Sequence, residues 1–216
     1  MLGLFVDIEA TGLDFRYHDA IDIAILCVDL QSLEELESYQ SLIAISEPAW
    51  ERRDSRSMEV NGYSWSDLVQ GKSRHQIALE IISLFGRHDV ARSKAAFFCQ
   101  NPAFDRAFFG TLVDLETQEQ FHWPYHWLDL ASMYWALQTL SWRHQGSCQP
   151  ESFSLSKDDI ARSYGVEPET YPHRALQGAR HLLRCYRALV ETEGDGAARV
   201  KVKEVSRGSF GRSGRS

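Results

Sequence analysis

Apolar runs separated by short polar stretches divide the first half of the chain into strand-like pieces. Leu2–Ile8 is mostly apolar and is cut off after Glu9 by Ala10-Thr11-Gly12. Ile21–Leu30 is partly alternating, and Tyr39–Ile45 follows after a short connection. Together they predict three strands in an antiparallel meander. Pro48 to Leu68 shows no sustained period and predicts irregular chain. Ile77, Ile81, Leu84 and Phe85 then recur at helical spacing, and Ala95–Phe98 predicts a short buried strand.

The second half turns helical. Asn101-Pro102 is a helix-start pair, since Asn caps free amides and Pro suits the first helical position. Phe104, Phe108 and Leu112 follow at i, i+4 and i+8. A fifth strand is expected near Trp127–Leu128, leading into a helix through Ala131–Leu140, and residues 143–153 predict a loop. Ser156-Lys157-Asp158-Asp159 resembles a capping box and opens a short helix that stops at Gly165. Arg174–Val190 carries a clean apolar stripe: Ala175, Leu176, Ala179, Leu182, Leu183, Tyr186 and Leu189. Strands first, then mixed strand and helix, predict an α/β fold with one central mixed sheet flanked by helices.

Composition narrows the function classes. The chain has 216 residues, 44% hydrophobic and 25% charged, as in an ordinary globular protein. The expected division is one domain over 1–193 and a basic Gly/Ser/Arg-rich tail over 194–216. That tail carries six basic residues against Asp195 and Glu204. It reads as either a solvated terminus or a tether for nucleic acid or a partner. The net charge of −7 excludes a fold that is basic all over, so nucleic acid would meet a local patch or bridging metal ions. Cys27, Cys99 and Cys185 lie in apolar runs, and none of the four cysteines forms a C-x-x-C pair. No secretory leader pattern is seen and no apolar run reaches the ~18 residues of a membrane span. These features point to a reducing, cytoplasmic setting without membrane contact.

Three short segments carry candidate chemistry. Asp7 and Glu9, at i and i+2 on a strand, share one face at its end. They form either an acidic strand end facing water or an oxygen-only site for a hard cation such as Mg²⁺ or Mn²⁺. Asp105 falls in the first turn of a helix, where an acid also complements the helix dipole. His173 stands just before the last long helix. A loop histidine there either faces solvent or takes a proton from water near neutral pH.

The ordered set resembles the DnaQ-like (DEDDh) 3′–5′ exonucleases, whose fold is RNase H-like. D-x-E-A-T-G-L at 7–13, N-P-x-F-D at 101–105 and H-R-A-L at 173–176 match the three family motifs. S-L-S-K-D-D-I-A at 154–161 also fits the stretch before the third motif, and the likeness covers about residues 2–190. It implies an RNase H-like sheet of five strands and two-metal phosphodiester hydrolysis with two Mg²⁺ or Mn²⁺ ions. Asp7 and Glu9 would be metal ligands, with Asp7 bridging both ions, and Asp105 would support the site. His173 would be the general base. Ala10, Thr11, Gly12 and Leu13 would meet the terminal nucleotide, and Asn61 is a weaker substrate-binding candidate. The implied partner is the 3′ end of single-stranded DNA or RNA, with a homodimer as a further family-level expectation. Trp65 and the aromatic run Phe121–Trp127 are candidates either for base stacking or for core packing.

One position departs from the pattern. The family places a fourth carboxylate five residues after the motif histidine, and here Gly178 stands there. Glycine within a helix costs about 1 kcal/mol relative to alanine, so helix stability does not account for it. The resemblance therefore leaves two expectations. One is an attenuated 3′–5′ exonuclease that releases nucleoside monophosphates. The other is a degenerate relative that binds nucleic acid or a partner without cutting.

Overall fold

A computed structural model describes residues 1–145 and 154–196. Five strands form one sheet in the order β3-β2-β1-β4-β5. They are β1 (Leu2–Ala10), β2 (Ala20–Asp29), β3 (Glu35–Leu42), β4 (Ala95–Cys99) and β5 (Trp127–Asp129). The first three make the expected antiparallel meander, and β4 and β5 join in parallel. β3 begins four residues earlier than its apolar run indicates. It is the edge strand, so Glu35 and Glu37 alternate with exposed residues, and apolar density does not mark its start.

Side-chain alternation on β1 sorts the molecule into two layers. Leu4, Val6, Ile8 and Ala10 face a core closed by α4 (Arg74–Arg87) and α5 (Pro102–Leu112). Phe5 faces the other core, closed by α7 (Leu130–Gln145), α8 (Lys157–Ser163) and α9 (Ala175–Gly196). Large side chains on both faces leave water completely, Phe5, Phe97 and Phe108 among them. Each such burial is worth about 1.5–3 kcal/mol. Cys27, Cys99 and Cys185 are buried free thiols, as their apolar surroundings require.

The 48–68 stretch is not irregular. It folds as α1 (Glu47–Glu51), α2 (Ser55–Asn61) and α3 (Trp65–Leu68). Each is too short to show a periodic stripe, and the signal lies in the capping residues instead. Ser46 accepts from the Ala49 N–H and Asp54 from the Ser57 N–H, while Asp67 accepts from the Ser64 N–H at 2.8 Å. α6 (Leu115–Gln120) escapes notice for the same reason and is capped by Asp114. Asn101 starts α5 as expected but makes no side-chain cap. Its carbonyl accepts from the Phe104 and Asp105 N–H groups instead. Of the predicted 143–153 loop, residues 143–145 belong to α7, which runs to Gln145; residues 146–153, including Cys148, lie outside the described residues. α9 continues to Gly196, and 197–216, most of the expected tail, also lie outside them.

The strand lengths decide where a site can form. β1 pairs with β2 along its full length but with β4 only from Leu2 to Phe5. The second half of β1 therefore overhangs its parallel neighbour. Asp7 and Glu9 lie on that overhang, on the α9 side of the sheet.

Candidate active site

The overhang opens into a cleft of about 330 Å³. Asp7, Glu9, Ala10, Leu13, Asn61, Asp105 and His173 all line it. The three sequence motifs thus converge on one place, although they are spread over most of the chain. A larger hollow of about 520 Å³ lies beside Leu2 and Asp29 and contains none of the sequence-identified residues.

Each side chain is delivered by a different device. Asp105, in the first turn of α5, is buried and accepts hydrogen bonds from the backbone of Ile8 and Asn101. His173 is tied through its N–H to the Val60 carbonyl at 3.0 Å. Asn61 is buried and donates to the Ala10 carbonyl at 3.1 Å, holding α2 against the end of β1. Arg174 donates to the Asn61 carbonyl and lies 3.9 Å over the Tyr63 ring.

Two of the expected nucleotide contacts, Thr11 and Gly12, have structural work in the fold. Thr11 is fully buried, and its hydroxyl accepts from the Asp19 N–H at 3.0 Å. Gly12 lies against the His18 ring, where any Cβ would collide with Cγ and Nε2. Both shape the turn that presents Leu13, which is 82% exposed at the rim of the cleft. The aromatic candidates do not line the cleft. Trp123 is core, Trp127 stacks on Phe97 at 4.2 Å, and Trp65 leans on Trp50. Phe104 is the aromatic ring that does line it.

Electrostatics show what the site lacks. Burial, followed by the Asp7 charge, pushes the Glu9 carboxyl up to about 8. Burial and then Asp7 raise Asp105 well above the usual carboxylate range. Asp7 is raised as well, chiefly by burial, although Lys157 opposes the shift. Buried Asp105 and half-buried Asp7 and Glu9 disfavour their own ionisation and form a donor set suited to a hard divalent cation. This chemistry fits the metal that the motifs imply.

Four residues in or beside the cleft escaped the sequence reading. Lys157 points into the cleft with its Nζ 3.1 Å from Asp7 Oδ1 and 2.6 Å from Glu169 Oε2. Glu169, with its side chain 2% exposed, presents a ligand atom to the same point as Glu9 and His173; the three atoms lie within 4.8 Å of one another. His181 is fully buried 4.0 Å from Glu169, and burial together with the Lys157 charge lowers its pKa. Asp22, opposite Glu9 in the β1–β2 register, accepts from Tyr63 Oη at 2.6 Å and from the Ala175 N–H at 3.0 Å. It therefore caps the start of α9 and fixes the helix that follows His173. Gly178 is explained by crowding. A Cβ there would meet Asp7 Oδ2, with Asp7 Cγ at 2.6 Å and Oδ1 at 2.8 Å. The space of a side chain at 178 is filled by the Asp7 carboxylate.

Sheet order, flanking helices and acid-lined cleft together define an RNase H-like nuclease fold. The family model described as Exonuclease matches residues 4–186, and the chain belongs to that family. Solved structures agree on the fold. Exonuclease I superposes with a TM-score of 0.68 at 18% identity over 88% of this chain. The nuclease domain of 3′hExo, described as a DEDDh family member bound to rAMP, gives 0.66 at 13% identity and covers 90% of this chain and 92% of that one. A 3′-exonuclease described as recognising a histone mRNA stem-loop gives 0.66 at 13% identity over 90% of this chain. This chain spans 41% of the length of exonuclease I and 64% of that of the stem-loop-recognising protein. No curated protein matches the sequence. Among the described residues, no helix is long and apolar enough to cross a membrane.

Proposed function

We propose that the chain is a divalent-metal-dependent 3′–5′ exonuclease that removes nucleoside 5′-monophosphates from single-stranded or frayed 3′ ends. The observation that carries this reading is the meeting of Asp7, Glu9, Asp105 and His173 in one cleft at the overhanging end of β1. Support for a nucleic-acid substrate comes from structural neighbours, one of them E. coli exonuclease I in complex with a dT13 oligonucleotide.

Asp7, Glu9 and Asp105 would hold a Mg²⁺ or Mn²⁺ ion. Bound there, the ion supplies Lewis acidity toward the scissile phosphate and lowers the pKa of a coordinated water. The remaining work belongs to the chain. His173 takes the proton of the attacking water as its oxygen bonds to phosphorus and the bond to the 3′ oxygen of the preceding nucleotide breaks. Leu13 and Phe104 offer apolar surface to the terminal base, and Asn61 holds the wall of the cleft through Ala10.

The test is digestion of a 5′-labelled single-stranded oligonucleotide in Mg²⁺ and in Mn²⁺. A ladder shortening from the 3′ end, lost in Glu9→Gln, is the expected result. An inert protein that still binds the oligonucleotide would replace this reading with the binding-only one.

A further inference from the structure

Gly178 removes a carboxylate that the motif pattern calls for, and the structure shows what stands near the gap. Lys157 opens α8 and reaches the floor of the cleft, its side chain 15% exposed. Its ammonium bridges Asp7 and Glu169 at 3.1 and 2.6 Å. Asp7 Oδ1 is thereby engaged, and Oδ2 is the atom nearest the point where a Cβ at 178 would stand. A carboxylate committed to a lysine and to the space beside α9 does not bridge two metal ions. Glu169, from the segment between α8 and α9, supplies a buried acid instead. Among the described residues none donates to its Oε1, and the residue presents a ligand atom within 4.8 Å of those of Glu9 and His173.

Resting on the nuclease reading above, we infer that this site takes a single divalent cation, with Lys157 as a built-in second cation and Glu169 in place of the carboxylate lost at 178. Two features support the exchange. A primary ammonium is a compact fixed charge able to offset two carboxylates at once. A divalent ion placed beside Asp7 Oδ1 would have to displace that ammonium, because metal–oxygen bonds of about 2.0–2.1 Å leave no room for both. Lys157 is thus a positioning residue for Asp7 and a charge within the site. An arginine at 157 would keep the charge, whereas a methionine would remove it and keep most of the volume.

Mn²⁺ titration of the full chain, followed by electron paramagnetic resonance of the free ion and by calorimetry, counts the sites directly. One ion per chain is expected for the wild type and for Lys157→Arg. Gly178→Asp alone should not add a second, since Lys157 still holds Asp7 against the position the new side chain needs. The double variant Lys157→Met/Gly178→Asp should bind two, with circular dichroism confirming that it is folded. Two ions of similar affinity in the wild type, or none, would overturn the inference, and this arm needs no folded variant. The same preparations assayed for 3′ digestion keep the two proposals apart. Cleavage with two bound ions sinks the single-cation site alone, and one bound ion without cleavage sinks the nuclease reading alone.

Discussion

Glu9 and Asp22 face each other across the β1–β2 pair, two acids in neighbouring strands with opposite fates. Asp22 is saturated: Tyr63, Gln40 and the Ala175 N–H all donate to it, and its side chain is sealed from water. Glu9 accepts no hydrogen bond from any described residue, opens onto the cleft and is pushed up to about 8 by burial and Asp7. One acid is committed to building the site, and the other is left uncommitted within it. A buried carboxyl that is fully hydrogen-bonded is a structural anchor. The same group without donors is a place for a cation.

Substitutions separate the two regions. The largest effect falls on the uncommitted side, where His173→Ala should slow 3′ digestion about 10²–10⁴-fold. The melting temperature should barely move, because the ring lines the cleft and its backbone bond to Val60 remains. On the committed side the pattern reverses. Asp22→Ala strands the Tyr63 hydroxyl and the Ala175 N–H, at about 1–3 kcal/mol for each buried group left without a partner. Thermal unfolding should show that loss, and a stable Asp22→Ala protein would break the contrast.

The pH dependence sharpens it. In the metal-free protein Glu9 titrates higher when folded than its ordinary 4.5. Its contribution to stability is therefore complete below the unfolded value and is lost as pH rises from there through about 8. Metal-free melting temperature should fall across that window, and Glu9→Gln should flatten the fall. Cation binding displaces the same proton, so Mn²⁺ affinity should rise about tenfold per pH unit below 8 for each proton released. The smallest effect is expected at the rim. Leu13→Ser should leave stability within ~0.5 kcal/mol of wild type while raising KM for an oligonucleotide, since the side chain is mostly in water and borders the cleft.

Much of this was legible in the chain because it was local. The Asp7–Glu9 pair sits on a strand whose period puts both on one face, and the α9 stripe matches the buried set Ala175, Ala179, Leu182 and Leu183. What escaped depended on distance. Lys157 meets Asp7 across 150 positions, and Asp22 meets Ala175 across 153. Faint signals did exist. A lysine in the first turn of a helix works against the dipole, which suits Lys157 poorly unless an acid awaits it. Asp22 is an acid within an isoleucine-rich strand that is buried from Ala20 to Val28. The short helices between 47 and 68 were hidden because capping residues, rather than a repeating stripe, define them.

The central claim is hydrolysis from the 3′ end at this cleft. Digestion in ¹⁸O-labelled water, with mass analysis of the released products, tests it most directly. The expected result is nucleoside 5′-monophosphate carrying one ¹⁸O on its phosphate, formed by the wild type with divalent cation and absent with Glu9→Gln. Unlabelled products, internal fragments, or equal release by Glu9→Gln would contradict it.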